Sequence, residues 1–286
     1  ICNGILLLQE LTARTNDRMA SYGEWLSSQI IAAAFQAKGF QAFWVDTREL
    51  IITDSNYTAA GVDFSVTNQK ITEYFHARKD NLFILPGFIA KDSSGITTTL
   101  GRGGSDYTAA ILAAALDASV LQIWTDVSGM MTADPRLTTH AKIISQISYQ
   151  EAMELSHFGA KVIYPPTLQP KKKKNIPVYI KNTFSPDDAG TRIHNGEVKA
   201  TTEKDNSLVS GISSISNITL ISLEGSGMIG IPGFSKRLFE ALSNEKINVI
   251  LITQSSSEHS ICVAVDSNAA HRAKRAVDAM FANEIA

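Results

Sequence analysis

The segment Leu100-Gly101-Arg102-Gly103-Gly104-Ser105-Asp106 gathers groups that can hold an anion into a few residues. Glycines allow close backbone approach to a ligand, and their N–H groups can converge on negative charge. A helix expected to begin at Asp106 turns its partial positive end to the same place, worth ~0.3–1 kcal/mol per favourable anion contact. Arg102 offers a planar fork for a carboxylate or phosphate. Asp106 adds a carboxylate able to orient an ammonium group or a Mg²⁺ ion. The same residues also read as a turn and a helix cap, with Ser105 or Asp106 satisfying free N–H groups. Spacing alone leaves both readings open. The pattern is neither a Walker A sequence nor the dinucleotide fingerprint.

A second segment runs from Trp124-Thr125-Asp126-Val127-Ser128-Gly129 to Asp134-Pro135-Arg136. It leaves the carboxyl end of an expected strand, where open parallel sheets bind ligands. Thr125 and Asp126 can meet a nucleotide or metal and Arg136 a phosphate, although Asp-Pro-Arg also makes a plain turn. Lys161, in Phe158-Gly159-Ala160-Lys161-Val162, is within reach of a phosphate but reads first as a solvated charge. Glu24, in Tyr22-Gly23-Glu24-Trp25, stands one helical turn ahead of Ser27 and Ser28 and reads first as a surface glutamate. The run Lys171 to Lys174 has no aromatic partners and reads as a solvated loop.

Positioning these groups falls to alternating helices and strands. From Asp17 to Lys38 apolar residues recur at helical spacing (Met19, Trp25, Leu26, Ile30, Ala33, Ala34, Ala37), and Gly39 stops that helix. Phe40 to Val45 reads as a strand, Val62 to Arg78 as a helix, and Leu82 to Leu85 as a buried strand ending at Pro86-Gly87. Helix Asp106 to Leu116, strand Val120 to Trp124, helix Tyr149 to Phe158 and strand Ile176 to Lys181 follow. This order predicts an α/β fold with a mostly parallel sheet covered on both faces. Asn195 to Ser207 is polar and aperiodic and reads as a linker, separating domains at 1–194 and 208–286. Beyond it come strand Ile218 to Leu223, helix Phe234 to Leu242, strands Ile247 to Thr253 and Ser260 to Asp266, and helix Ala269 to Phe281. A ferredoxin-like unit needs one more strand than this β-α-β-β-α order, so the second domain reads as incomplete.

Composition narrows the function classes. The 286 residues carry a net charge of −2, which gives no reason to expect nucleic acid or a membrane surface as partner. Cys2 and Cys262, far apart and without metal-type spacing, fit a reducing, cytoplasmic compartment. The longest apolar stretches, Ile30 to Phe35 and Ala109 to Leu116, are too short to span a bilayer. No signal peptide is visible, and a chain that opens at Ile1 within an expected helix reads as part of a longer protein.

Together the segments resemble the aspartate kinases over nearly the whole chain. The resemblance rests on Leu100 to Asp106, on Trp124 to Val127, and on Thr132-Ala133-Asp134-Pro135-Arg136. Glu151-Ala152-Met153-Glu154-Leu155, Phe158 to Val162, and Leu251 to Glu258 extend it. It implies a three-layer αβα amino-acid-kinase domain that uses ATP and Mg²⁺ to phosphorylate the β-carboxylate of L-aspartate. By position Glu24 resembles the family's glutamate for the substrate amino group and Arg102 its carboxylate clamp, with Phe88, Gly103, Gly104, Ser105 and Asp106 around the substrate. Arg102 and Asp106 are the catalytic candidates. Thr125, Asp126, Met131, Arg136 and Lys161 match positions that hold ATP, which lifts Lys161 and Glu24 above their plainer readings. Phosphoryl transfer of this kind is mostly positioning and charge neutralisation.

Three departures stand out. The family's opening Lys-Phe-Gly-Gly segment, which cradles phosphates, does not occur, so residues 1–286 alone are expected to be inactive. Trp25 stands where arginine is usual, and Met131 where a tyrosine often faces the nucleotide. The tail resembles an ACT domain, the module that binds amino-acid effectors between paired copies, which implies a homo-oligomer. The effector positions are Met228, Phe234, Asn248, Val249 and Gln254, and they fit threonine better than lysine. The Thr253-Gln254-Ser255-Ser256-Ser257-Glu258 run resembles the bifunctional aspartate kinase–homoserine dehydrogenases. Two alternatives stay open: a relative acting on glutamate, acetylglutamate or UMP, and an inactive amino-acid-binding module.

Overall fold

The computed structural model describes residues 2–78, 82–157, 162–164, 174–196, 209–225, 231–254 and 260–284. The chain divides into two compact units, Ile1–Ser214 and Ile215–Ala286. Most of the stretch expected as linker, from residue 197 on, lies outside the described residues.

The first unit opens with helices α1 (Cys2–Leu8) and α2 (Ala13–Ala37). Thr12 caps α2 by accepting from the Thr15 N–H at 3.1 Å. Gly39 ends it as expected, with φ +87°. The Gly39 N–H returns to the Gln36 carbonyl at 2.9 Å and the Phe40 N–H to the Phe35 carbonyl at 3.1 Å. The Phe35 and Phe40 rings meet at 5.5 Å, completing a Schellman stop with its apolar contact. The helix buries an unexpected face, however. Asp17, Ser21, Ser28 and Ala32 point inward, while Ile30, counted among the apolar repeat, is 69% exposed.

Strand β1 (Ala42–Trp44) pairs in parallel with β3 (Leu82–Ile84), which is half-buried rather than buried. Between them lie β2 (Ile52–Thr53) and α3 (Phe64–His76), the latter capped by Asp63. β2 pairs in parallel with β4 (Ile89–Asp92), and β4 turns back antiparallel onto β5 (Thr97–Thr99). Helix α4 (Gly104–Ala115) follows, and Leu50, Ile51, Ile71, Ala90, Leu100 and Ile111 close a core among these elements. A four-stranded sheet then runs in the order β6-β8-β9-β7, from β6 (Leu121–Thr125), β7 (Gln146–Ser148), β8 (Val178–Asn182) and β9 (Thr191–His194), with α5 (Tyr149–His157) between β7 and β8. β6/β8 and β7/β9 are parallel and β8/β9 antiparallel. Parallel pairing thus predominates in the described residues of the first unit, spread over three small sheets. The short strands β2, β4, β5, β7 and β9 carry too few residues to register as periodicity.

The second unit follows the expected β-α-β-β-α order: β10 (Ile218–Glu224), α6 (Phe234–Asn244), β11 (Leu251–Gln254), β12 (Ser260–Asp266) and α7 (Ala270–Met280). β12 lies between β10 and β11, antiparallel to both. Leu238, Leu242, Val263, Val265, Ala273, Val277 and Phe281 form its core, so both helices bury the stripe that their apolar spacing marks. β11 is exposed along its length.

Candidate active site

The loop at the start of α4 is built by close backbone approach. Gly103 takes φ +67° as the helix N-cap and no side chain caps it. The helix starts at Gly104, two residues earlier than expected, so Ser105 and Asp106 sit in its first turn. The first N–H of the helix, that of Gly104, turns back to the Gly101 carbonyl at 3.1 Å and closes the loop on itself. A Cβ on Gly87 would fall 2.8 Å from the Ser105 Cα, and one on Gly104 2.8 Å from Phe88 Cδ2. Only glycine lets the Pro86-Gly87-Phe88 turn lie against the loop in this way.

Thr108 locks the two together: its hydroxyl donates to the Gly104 carbonyl at 2.8 Å and accepts from the Phe88 N–H at 3.0 Å. Phe88 itself holds φ +68°, a rare conformation for a bulky residue. A Cβ on Gly103 would lie 2.4 Å from the Tyr164 Cβ, so the stretch after Lys161 rests on this loop; Lys161 itself lies outside the described residues. Arg102 and Ser105 are exposed and Asp106 is half-buried.

Asp17 ties α2 to this loop and was not singled out from sequence. It is 1% exposed, and its carboxylate accepts from the Thr99 N–H at 3.0 Å, the Thr99 hydroxyl at 2.7 Å and the Thr58 N–H at 2.9 Å. Thr99 immediately precedes the glycine loop. Glu24 lies two turns further along the same helix, half-buried, and its carboxylate has no partner among the described residues. Trp25, in the place of the usual arginine, stands edge-on to Tyr22 and Trp44 at 6.3 Å, with the Arg48 guanidinium 5.8 Å over its ring.

Thr125 and Asp126 emerge at the carboxyl end of β6. The Thr125 hydroxyl donates to the Asp126 carboxylate at 3.2 Å, and the Thr125 carbonyl receives the Thr183 N–H at 2.8 Å. Beside them Lys181 places its ammonium 5.3 Å over the exposed Trp124 ring. Met131 is half-buried and bridges to Ile143. Asp134 shapes the following turn, accepting from the Arg136 N–H at 2.8 Å and from its guanidinium at 2.7 Å. That hydrogen bond holds the Asp134 carboxyl below its ordinary value. Arg136 thus serves the turn, with its side chain 82% exposed.

Ser148 and Glu151 form a capping box at the start of α5. The Glu151 N–H reaches the Ser148 hydroxyl at 3.2 Å, and the Ser148 N–H reaches the Glu151 carboxylate at 3.0 Å. The Ser-x-x-Glu spacing was the available sequence signal. Burial pushes the Glu151 carboxyl up, but hydrogen bonds from Ser210 and Ser148 outweigh it and the net direction is down.

Of the effector positions, Met228 lies outside the described residues. Asn248 and Val249 line a hollow of about 440 Å³ with Phe239, Leu242, Ser243, Lys246 and Ile247. Phe234 is instead stacked on Phe281, rings 5.7 Å apart, and Gln254 is exposed at the end of β11. No helix among the described residues is long and apolar enough to cross a membrane.

Residues 221–281 match the ACT domain. The bifunctional aspartokinase/homoserine dehydrogenase of Haemophilus influenzae is 42% identical over 263 residues, 92% of this chain and 32% of that protein. The chain spans about a third of the length of the first curated relatives it matches. Two crystal structures of Escherichia coli aspartokinase III are similar. The one with lysine and aspartate gives a TM-score of 0.68 at 34% identity, covering 90% of this chain and 56% of that one. The one with aspartate and ADP gives 0.65 at 26%, covering 94% and 76%. The glycine loop under α4, the strand-end Thr-Asp pair and the match of residues 5–182 lead to one conclusion: the chain belongs to the amino acid kinase family.

Proposed function

We propose that the protein is an aspartate kinase, transferring the terminal phosphoryl group of ATP to the β-carboxylate of L-aspartate to give 4-phospho-L-aspartate and ADP. The observation that carries this reading is the uncapped start of α4, with exposed Arg102 held on a loop whose glycines admit Phe88 and Tyr164 at contact distance. Arg102 and Glu24 hold the two ends of the amino acid. Gly103 and Ser105 turn N–H groups toward the anion, Gly104 closes the loop through the Gly101 carbonyl, Asp106 orients the acceptor, and Phe88 closes the pocket.

Thr125, Asp126, Met131, Arg136 and Lys161 hold the nucleotide, with Arg136 exchanging Asp134 for a phosphate. Asp106 and Asp126 are the carboxylates of the site that could meet an ion held chiefly by phosphate oxygens. Mg²⁺ carried in this way would neutralise charge on the transferring group. The reading draws on the similarity to aspartokinases, one of them solved with aspartate and ADP.

In the full-length natural protein, ADP release should depend on L-aspartate and not on L-glutamate. Arg102→Ala should lower kcat/KM for aspartate by about two orders of magnitude, the loss of a charged bidentate contact. Activity with glutamate alone, or unchanged aspartate kinetics in the variant, would sink the assignment.

The second unit serves regulation and homo-oligomer formation. Residues 248–254 contain no carboxylate to meet a second ammonium group, which favours threonine over lysine as effector. L-Threonine should raise the Tm of the full-length protein by binding the folded state. Gln254→Ala should remove most of that rise, whereas a rise with L-lysine alone would overturn the choice.

A further inference from the structure

Residues 209–212 belong to the first unit and lie across it just before the chain enters the second. Ser210, Gly211 and Ile212 each make a contact with the rest of the first unit. The Ser210 hydroxyl donates to Glu151 Oε1 at 2.7 Å, at the capping box of α5. The Ile212 N–H donates to the Thr132 carbonyl at 2.8 Å. Between them, a Cβ on Gly211 would stand 3.3 Å from both Leu155 Cδ2 and the Thr132 carbonyl oxygen, so the backbone is seated closely.

Thr132 stands between Met131 and Arg136, two of the nucleotide positions. Its other groups are also engaged: its N–H donates to the Lys142 carbonyl at 2.8 Å, and its hydroxyl accepts from the Lys142 N–H at 3.0 Å. The strap therefore completes the set of bonds that shapes the loop from Met131 to Arg136. Its own apolar side chains contribute little to holding it. Val209 is 59% and Ile212 70% exposed, so hydrogen bonds and a close fit, rather than burial, seat Ser210, Gly211 and Ile212. Contacts of that kind are individually weak and release readily. Only residues 213–217 separate the strap from β10, the first strand of the second unit.

We propose that residues 209–212 are a positioning strap: seated, they set the nucleotide loop through Thr132, and ligands of the second unit act on nucleotide binding by changing how firmly the strap is seated. This rests on the nucleotide role given above to Met131 and Arg136. Ser210 and Gly211 touch no substrate and act through Glu151 and Thr132.

The test uses the full-length natural protein and reads ADP affinity by calorimetry, which does not depend on the phosphoryl acceptor. Ser210→Ala and Gly211→Val should each weaken ADP binding about three- to tenfold, the scale of one lost hydrogen bond or a displaced contact. Ser210→Thr, which keeps the hydroxyl, should restore it. The KM for aspartate should stay within about twofold, since the Arg102 loop is not reached by the strap. Saturating L-threonine or L-lysine, whichever changes ADP affinity in the parent, should change it less in both weakened variants.

Unchanged ADP affinity in Ser210→Ala and Gly211→Val would overturn the proposal. So would equal losses for ADP and aspartate with a lowered Tm, the mark of a merely structural contact. Failure of both amino acids to alter ADP affinity in the parent would also overturn it. A parent that binds ADP with these responses but leaves aspartate unphosphorylated would refute the proposed reaction and not the strap.

Discussion

Helices α2 and α7 both carry apolar residues at helical spacing, yet they pack by opposite rules. In α7 the stripe is the core: Ala273 is fully buried and Val277 is 5% exposed. In α2 the stripe that carries Leu26 and Ile30 faces outward, and the buried face holds Asp17, Ser21, Ser28 and Ala32. Small side chains let α2 approach β1 and β5 closely, and a buried carboxylate supplies the bonds that the local N–H groups need. Such a face defines position sharply, because each donor has one acceptor, whereas an apolar face defines mainly volume. The first unit carries the candidate site and uses polar struts to place it. The second unit is organised as an ordinary apolar core.

The largest effect should come from the second unit. Leu238 is fully buried, and Leu238→Ala should cost ~2–5 kcal/mol through lost burial and the remaining cavity. Calorimetry should show that loss in the transition of the second unit alone; a loss in both transitions would break the contrast.

Asp17→Ala follows, since it leaves the Thr99 N–H and the Thr99 hydroxyl buried without their acceptor and also frees the N–H of the exposed Thr58. It should cost about 2–4 kcal/mol in the first unit, given ~1–3 kcal/mol for a stranded buried donor and incomplete additivity. Ile30→Ser on the same helix, at a residue 69% exposed, should change stability by no more than ~0.5 kcal/mol. If Ile30→Ser proved the more damaging, α2 would be held by its apolar stripe after all.

The smallest effect is a pH dependence. Asp92 is 2% exposed, and burial alone would raise its carboxyl. Hydrogen bonds from the Ile96 N–H at 2.9 Å, the Ser55 hydroxyl at 2.9 Å and the Ser94 N–H at 3.0 Å outweigh burial and bring it below its ordinary value. Its contribution is therefore present above the unfolded value, near ~3.9, and is lost as pH falls through the lower folded one. Asp92→Asn should flatten this part of the acid unfolding curve of the first unit. An unaltered curve would remove Asp92 from the set of struts.

What the sequence determined by itself is whatever depends on near neighbours. The Gly39 stop, the Asp63 cap and the apolar stripes of α6 and α7 are consequences of residues a few positions apart. So is the glycine loop from Leu100 to Asp106, whose residue types left an anion site and a capped turn both open before any fold was known. The tertiary structure alone decided which face of α2 is buried, because Asp17 meets donors 41 and 82 residues away. It decided likewise that Gly87 lies against Ser105, that Gly103 lies against Tyr164, and that residues 209–212 cross to Thr132. Periodicity along a chain reports which side chains avoid water, whereas a buried polar group or a bare glycine is explained only by the distant atom that comes to meet it.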